Sequence, residues 1–127
     1  MKFTKSYKQF LYYSLFGLIS LSLDLLIYLF LTQSLNFSKS FSKIISFLLA
    51  STNSFILNKN FTFKVKQFKV QQPINFLIVY SVSLFFNSLT HDFFQDQYEG
   101  LLPFIIATCV SVIINFTGQK FLVFYKN

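Results

Sequence analysis

The chain has no arginine, no tryptophan and one cysteine, and only four of its 127 residues are acidic. Each scarcity removes a class of protein. Without a second cysteine there is no intramolecular disulfide, and Cys109, inside an apolar run, reads as a small buried or lipid-facing side chain. Three glycines and two prolines supply no phosphate-cradling glycine loop. His91, the lone histidine, stands near Asp92, Asp96 and Glu99 without matched ligand spacing, so a solvated acidic loop is expected there rather than a metal site. No nucleophile–base pair is visible, and neither an enzyme nor a cofactor is expected. All eleven cationic side chains are lysines, lying between apolar blocks rather than in a stripe with exposed aromatics, which argues against nucleic acid as a partner.

What the chain has instead is apolar length. It is 54% hydrophobic, 21% aromatic and only 12% charged, where soluble proteins average about 25% charged. The mean hydropathy is +0.54. The N-terminal "MKFTKSYKQF" has the charge of a signal sequence. The apolar stretch after it exceeds the usual secretory core of about 7–15 residues, and no A-x-A-like site follows, so a retained transmembrane helix is expected.

Four spans are expected, at approximately 10–31, 41–58, 74–90 and 101–118, forming a single all-α, polytopic membrane domain over residues 1–127. Pro73 and Pro103 stand where helices start. The second span has the shortest charge-free core, Ile44 to Leu57, and needs Lys43 and Lys59 to snorkel to opposite interfaces. Charge favours four crossings. Lys2, Lys5, Lys8, Lys59, Lys64, Lys66, Lys69, Lys120 and Lys126 then share one side, against Lys39, Lys43 and the acids Asp92, Asp96 and Glu99. By the positive-inside rule both termini are cytoplasmic.

Polar residues recur on helix faces: Ser14, Gly17, Leu21, Asp24 and Tyr28 in the first span; Tyr80, Ser83, Asn87 and Thr90 in the third; Thr108, Ser111, Asn115 and Gly118 in the fourth. In the second, Ser38, Ser42, Ser46, Ala50, Ser54 and Asn58 form a small-xxx-small ladder, a pattern that lets helix backbones approach. Asp24 is the one acid inside a span. Such a residue costs about 2.5–3.5 kcal/mol at a helix centre. It is either a functional group or the partner of a structural hydrogen bond from a residue such as Asn53, Asn87 or Asn115.

The second and fourth segments end alike. "SFILNKNFTF" from Ser54 aligns with "NFTGQKFLVF" from Asn115, setting Phe55 on Phe116, Asn58 on Gln119, Lys59 on Lys120 and Phe63 on Phe124. Two hairpins that start on the same side make a parallel repeat. In these residues, and in Asp24 late in the first helix, the chain resembles the GtrA-like family of small four-helix membrane proteins over nearly its whole length. Lysine stands where arginine is common in that family, so a point charge replaces a bidentate fork.

The resemblance implies a part in cell-surface glycoconjugate synthesis at the cytoplasmic membrane: helping to translocate a polyprenyl-phosphate-linked sugar, or supporting its glycosyltransferase. On that reading Lys59 and Lys120 hold a lipid phosphate, or act only as positive-inside anchors. Asn58, Asn60 and Gln119 bond sugar hydroxyls, and Asp24, Asn53, Asn87 and Asn115 line a polar path. The expected partners are the lipid-linked sugar, membrane lipids, a membrane glycosyltransferase docked through the basic loop Lys64 to Lys69, and a second copy in a homodimer. Two other readings stay open: a small four-helix cation or drug exporter using Asp24, and a docking subunit that transports nothing.

Overall fold

The structure, a computed structural model, describes residues 2–125, the side chains of Lys2, Phe3 and Ser40 excepted. Lys126, counted above among the cytoplasmic lysines, lies outside the described residues. The chain is all-helical, with no strand among the described residues: α1 (Lys2–Leu29), α2 (Lys39–Leu57), α3 (Gln71–Gln95) and α4 (Leu102–Gly118). α1 packs on α2, and α3 on α4, so the chain divides into one hairpin ending at Lys66 and another beginning at Gln67.

Among the described residues, three stretches are long and apolar enough to cross a membrane: Thr4–Ser34, Gln71–Gln95 and Leu102–Val123. α2 has 19 residues, about 28 Å at 1.5 Å per residue, close to the hydrocarbon thickness. Long apolar side chains point outward, including Leu18 and Leu26 on α1, Leu84 and Phe85 on α3 and Ile113 on α4, while Ser20, Ser42, Ser46, Ser54 and Ser83 are buried. In water such a surface would drive aggregation; in lipid it is the solvated face.

The expected faces are partly rotated. On α1 Tyr13 and Ser20 are buried, as is Leu31 in the turn after it, whereas Leu21 is 66% exposed, and a Cβ on Gly17 would meet nothing within 4 Å. On α3 the buried line is Gln72, Phe76, Val79 and Ser83, with Tyr80 half-buried. Thr90 and Thr108 turn back to bond their own helices, at Phe86 O (2.7 Å) and Phe104 O (2.8 Å). A hydroxyl that bonds its own preceding turn needs no neighbouring helix.

The termini follow local chemistry. Ser38, expected to head the small-residue ladder, is instead the N-cap of α2, its Oγ accepting from Phe41 N. Gln72, in the first turn of α3, reaches back so that its Oε1 accepts from Lys69 N, while Gln72 N donates to Lys69 O. Pro103 sits at the start of α4, where a missing N–H costs little.

Three helices end in a π-helical turn, Phe30–Ser34, Asn58–Thr62 and Gln119–Val123. Five-residue bonds close each: Leu35 N to Phe30 O (3.3 Å), Phe63 N to Asn58 O (2.9 Å) and Phe124 N to Gln119 O (2.8 Å). After the first two, Asn36 and Lys64 turn left-handed, both at φ 54°. The amides beyond them then reach back to Leu31 O and Lys59 O, which satisfies carbonyls the helix end would otherwise orphan. Asparagine tolerates that backbone; a lysine there is strained by about 1–2 kcal/mol. The basic loop Lys64 to Lys69 lies in the connection between Thr62 and Gln71.

Candidate functional site

In the first hairpin the ladder is a buried column. Ser42, Ser46, Ala50, Ser54, Asn58 and Thr62 follow one another at four-residue steps along α2 and its π-helical end, and all are buried. Small side chains bring the backbones close, and all the polar ones but Ser42 have hydrogen-bond partners. Asp24 of α1 reaches this column. Its Oδ2 accepts from Lys43 Nζ and its Oδ1 from Ser46 Oγ, each at 2.6 Å. The carboxylate side chain is 13% exposed and the lysine 58%, so the acid is covered while the ammonium stem lies against open surface. Asn53, in the same hairpin, is not its partner. Asn53 Nδ2 donates instead to Ser20 Oγ at 3.3 Å.

Lower on the column a short chain of bonds closes on itself. Thr62 Oγ1 donates to Asn58 Oδ1 at 2.8 Å, and Asn58 Nδ2 donates to Ser54 Oγ at 3.3 Å. The next residue, Lys59, donates to Val65 O at 2.9 Å. It thereby pins the strained turn at Lys64, a structural duty beside any contact with phosphate. Asn60 is exposed.

The second hairpin repeats the geometry. Pro103, Ala107, Gln119 and Val123 are buried on a column that also includes the half-buried Ser111 and Asn115. Each stands 61 residues beyond its counterpart in the first column, and the π-helical turns Asn58–Thr62 and Gln119–Val123 keep the same offset. α3 and α4 are tied by Ser83 Oγ donating to Ser111 O (3.2 Å) and Asn75 Nδ2 donating to Leu122 O (2.9 Å). They approach closely at Gly118, where a Cβ would fall 2.5 Å from Val79 Cγ1. Lys120 lies over the rings of Phe116 and Phe121, at 5.8 and 5.5 Å from their centroids. Asn87 is half-buried on α3.

The polar groups of this second column are not closed. Gln119 is 0% exposed, and its Oε1 and Nε2, together with Asn115 Oδ1, are buried with no hydrogen-bond partner among the described residues. Each such group costs about 1–3 kcal/mol while it stays unpaired.

Sequence reasoning singled out Asp24, Asn58 and Gln119, without the full burial of the two amides, and missed Lys43 and Ser46 as the acid's partners. It also missed Thr62, and Val79 against Gly118. A signal for Lys43 was present: a lone acid late in one helix and a lysine early in the next face each other across a short hairpin.

Helices of membrane-crossing length, apolar outside and lined with serine, asparagine and glutamine inside, define an integral membrane protein. The chain matches the family model of the GtrA/DPMS transmembrane domain over residues 12–124, and it belongs to that family. Membership gives it a role in processes that handle sugars linked to a carrier lipid, through a membrane domain rather than a known catalytic fold. No curated protein and no solved structure matches the chain.

Proposed function

We propose that the protein helps to translocate polyprenyl-phosphate-linked sugars across the cytoplasmic membrane for cell-surface polysaccharide or glycoconjugate synthesis, with catalysis left to a partner glycosyltransferase. The supporting observation is the repeated helix end, a fully buried amide followed at once by a lysine in a π-helical turn: Asn58–Lys59 and Gln119–Lys120. A membrane-interface ammonium attracts a lipid phosphate, and amides hydrogen-bond hydroxyls. On this reading four helices cross the bilayer, α2 among them. On the same reading both termini and both repeated ends face the cytosol, and the excess of lysine on that side supports it.

An exporter that waits for a cation at Asp24 has less to stand on, because that carboxylate is already engaged by Lys43 and Ser46. A docking role has one observation in its favour: Lys64, Lys66 and Lys69, between the hairpins in sequence, are exposed. The deciding experiment places the purified protein in liposomes with a labelled polyprenyl-phosphate sugar in one leaflet. Accelerated transfer to the other leaflet is expected. Transfer at the protein-free rate, together with co-purification of a glycosyltransferase that is lost in a Lys64, Lys66 and Lys69 alanine variant, would replace translocation by docking.

A further inference from the structure

The repeat is one of backbone, not of chemistry. All six positions of the second column carry different side chains, and at its end Asn115 stands for Ser54, Gln119 for Asn58 and Val123 for Thr62. The last replacement matters most. In the first column the Thr62 hydroxyl closes the chain by donating to Asn58 Oδ1. Val123 is buried at the matching place and has no hydroxyl to give. Gln119 Oε1, Gln119 Nε2 and Asn115 Oδ1 are left as two acceptors and one donor group, buried and unpaired, one helical turn apart.

From that asymmetry we infer that the α4 end binds the hydroxyl groups of a neutral sugar headgroup, and that the α2 end does not. This deepens the reading given above and rests on it. The donor–acceptor pattern selects the ligand. A phosphate oxygen would satisfy Gln119 Nε2 but leaves both carbonyl oxygens without a donor. A pair of sugar hydroxyls donates to the carbonyls and accepts from the amide nitrogen. The charge for the phosphate sits next door, on Lys120. Because Gln119 is fully covered, entry requires its turn to open. That turn is π-helical and has an α-helical register within reach, and pairing with the ligand offsets the cost of opening.

The test uses the full-length protein in nanodiscs. Its probes are a fluorescent short-chain polyprenyl phosphate and the same lipid carrying glucose, galactose or mannose. One buried hydroxyl–amide pair corresponds to about a tenfold preference for a sugar-bearing lipid over the bare one. Gln119→Leu removes the amide, and Val123→Thr supplies the missing donor from inside the chain. Both are expected to bring the affinities for the sugar-bearing and bare lipids within about twofold of each other. A preference that survives in both variants overturns the sugar site. So does equal binding of bare and sugar-bearing lipids by the native protein, which leaves a role with the carrier lipid standing. Failure to bind any of the lipids removes that role and the sugar site together.

Discussion

The two hairpins share a plan and differ in how they settle their buried polar groups. In the first, most are paired within the hairpin: Asp24 with Lys43 and Ser46, Asn53 with Ser20, and Asn58 with Thr62 and Ser54. In the second, the bonds from Ser83 and Asn75 and the close approach at Gly118 hold the helices together, and Asn115 Oδ1 and the Gln119 amide stay unpaired. On the reading proposed above, a repeat that keeps its geometry while one copy gives up its internal partners divides its labour. The closed copy is suited to support, the open copy to recognition. The column of the first hairpin also shows Ser42 Oγ buried without a partner, but that is a single hydroxyl, not a cluster of amides.

The largest expected contrast is steric. Gly118→Leu drives a side chain into Val79 and should destabilise the second hairpin by about 3 kcal/mol. Gly17→Leu, in open space, should change stability by less than about 0.5 kcal/mol. Thermal unfolding in detergent compares the two, and equal losses would erase the distinction between hairpins. Next is the ion pair. Lys43→Leu leaves Asp24 with Ser46 alone and should cost about 2 kcal/mol, below the range for a fully buried pair because the lysine is open on one side. Adding Asp24→Leu should recover most of that loss, and additive effects of the two changes would mean the pair is not coupled.

Smaller still is the exchange between columns. Thr62→Val should destabilise the first hairpin by about 1 kcal/mol, whereas Val123→Thr should stabilise the second by a similar amount. Opposite signs from mirror-image changes would be hard to obtain in any other way. The same sign for both would show that Gln119 is satisfied in solution. The smallest effect is expected for Ser83→Ala, about 0.6 kcal/mol for one interhelical bond in a membrane protein. A loss above 2 kcal/mol would make that contact a keystone of the second hairpin.

Much of the fold was legible because lipid makes composition decisive. Apolar blocks of spanning length, the helix-starting prolines and the Ser42 to Asn58 ladder follow from periodicity and from the cost of bare backbone in hydrocarbon. The repeat of Asn58–Lys59 in Gln119–Lys120 was legible as residue types at matching places. The π-helical turns were not, since no propensity distinguishes a five-residue from a four-residue bond at a helix end. Nor was the choice of face on α1, where Ser20 and Asp24 are drawn to partners on α2 and Leu21 is left to the outside. The difference in satisfaction between Asn58 and Gln119 depends on Thr62 and Val123, and the two differ by one hydroxyl whose meaning appears only with its neighbours in place.

Topology is the claim on which the recognition argument leans most heavily, since both repeated ends must meet the same leaflet. The most direct check replaces Cys109 with serine and places single cysteines at Leu35, Lys66, Gln97 and Tyr125, then labels intact cells with a membrane-impermeant maleimide. Labelling from outside is expected at Leu35 and Gln97 and protection at Lys66 and Tyr125. Outside labelling of Lys66 with protection of Tyr125 would put the two lysine-bearing turns in opposite leaflets and contradict a shared cytoplasmic entry for the lipid headgroup.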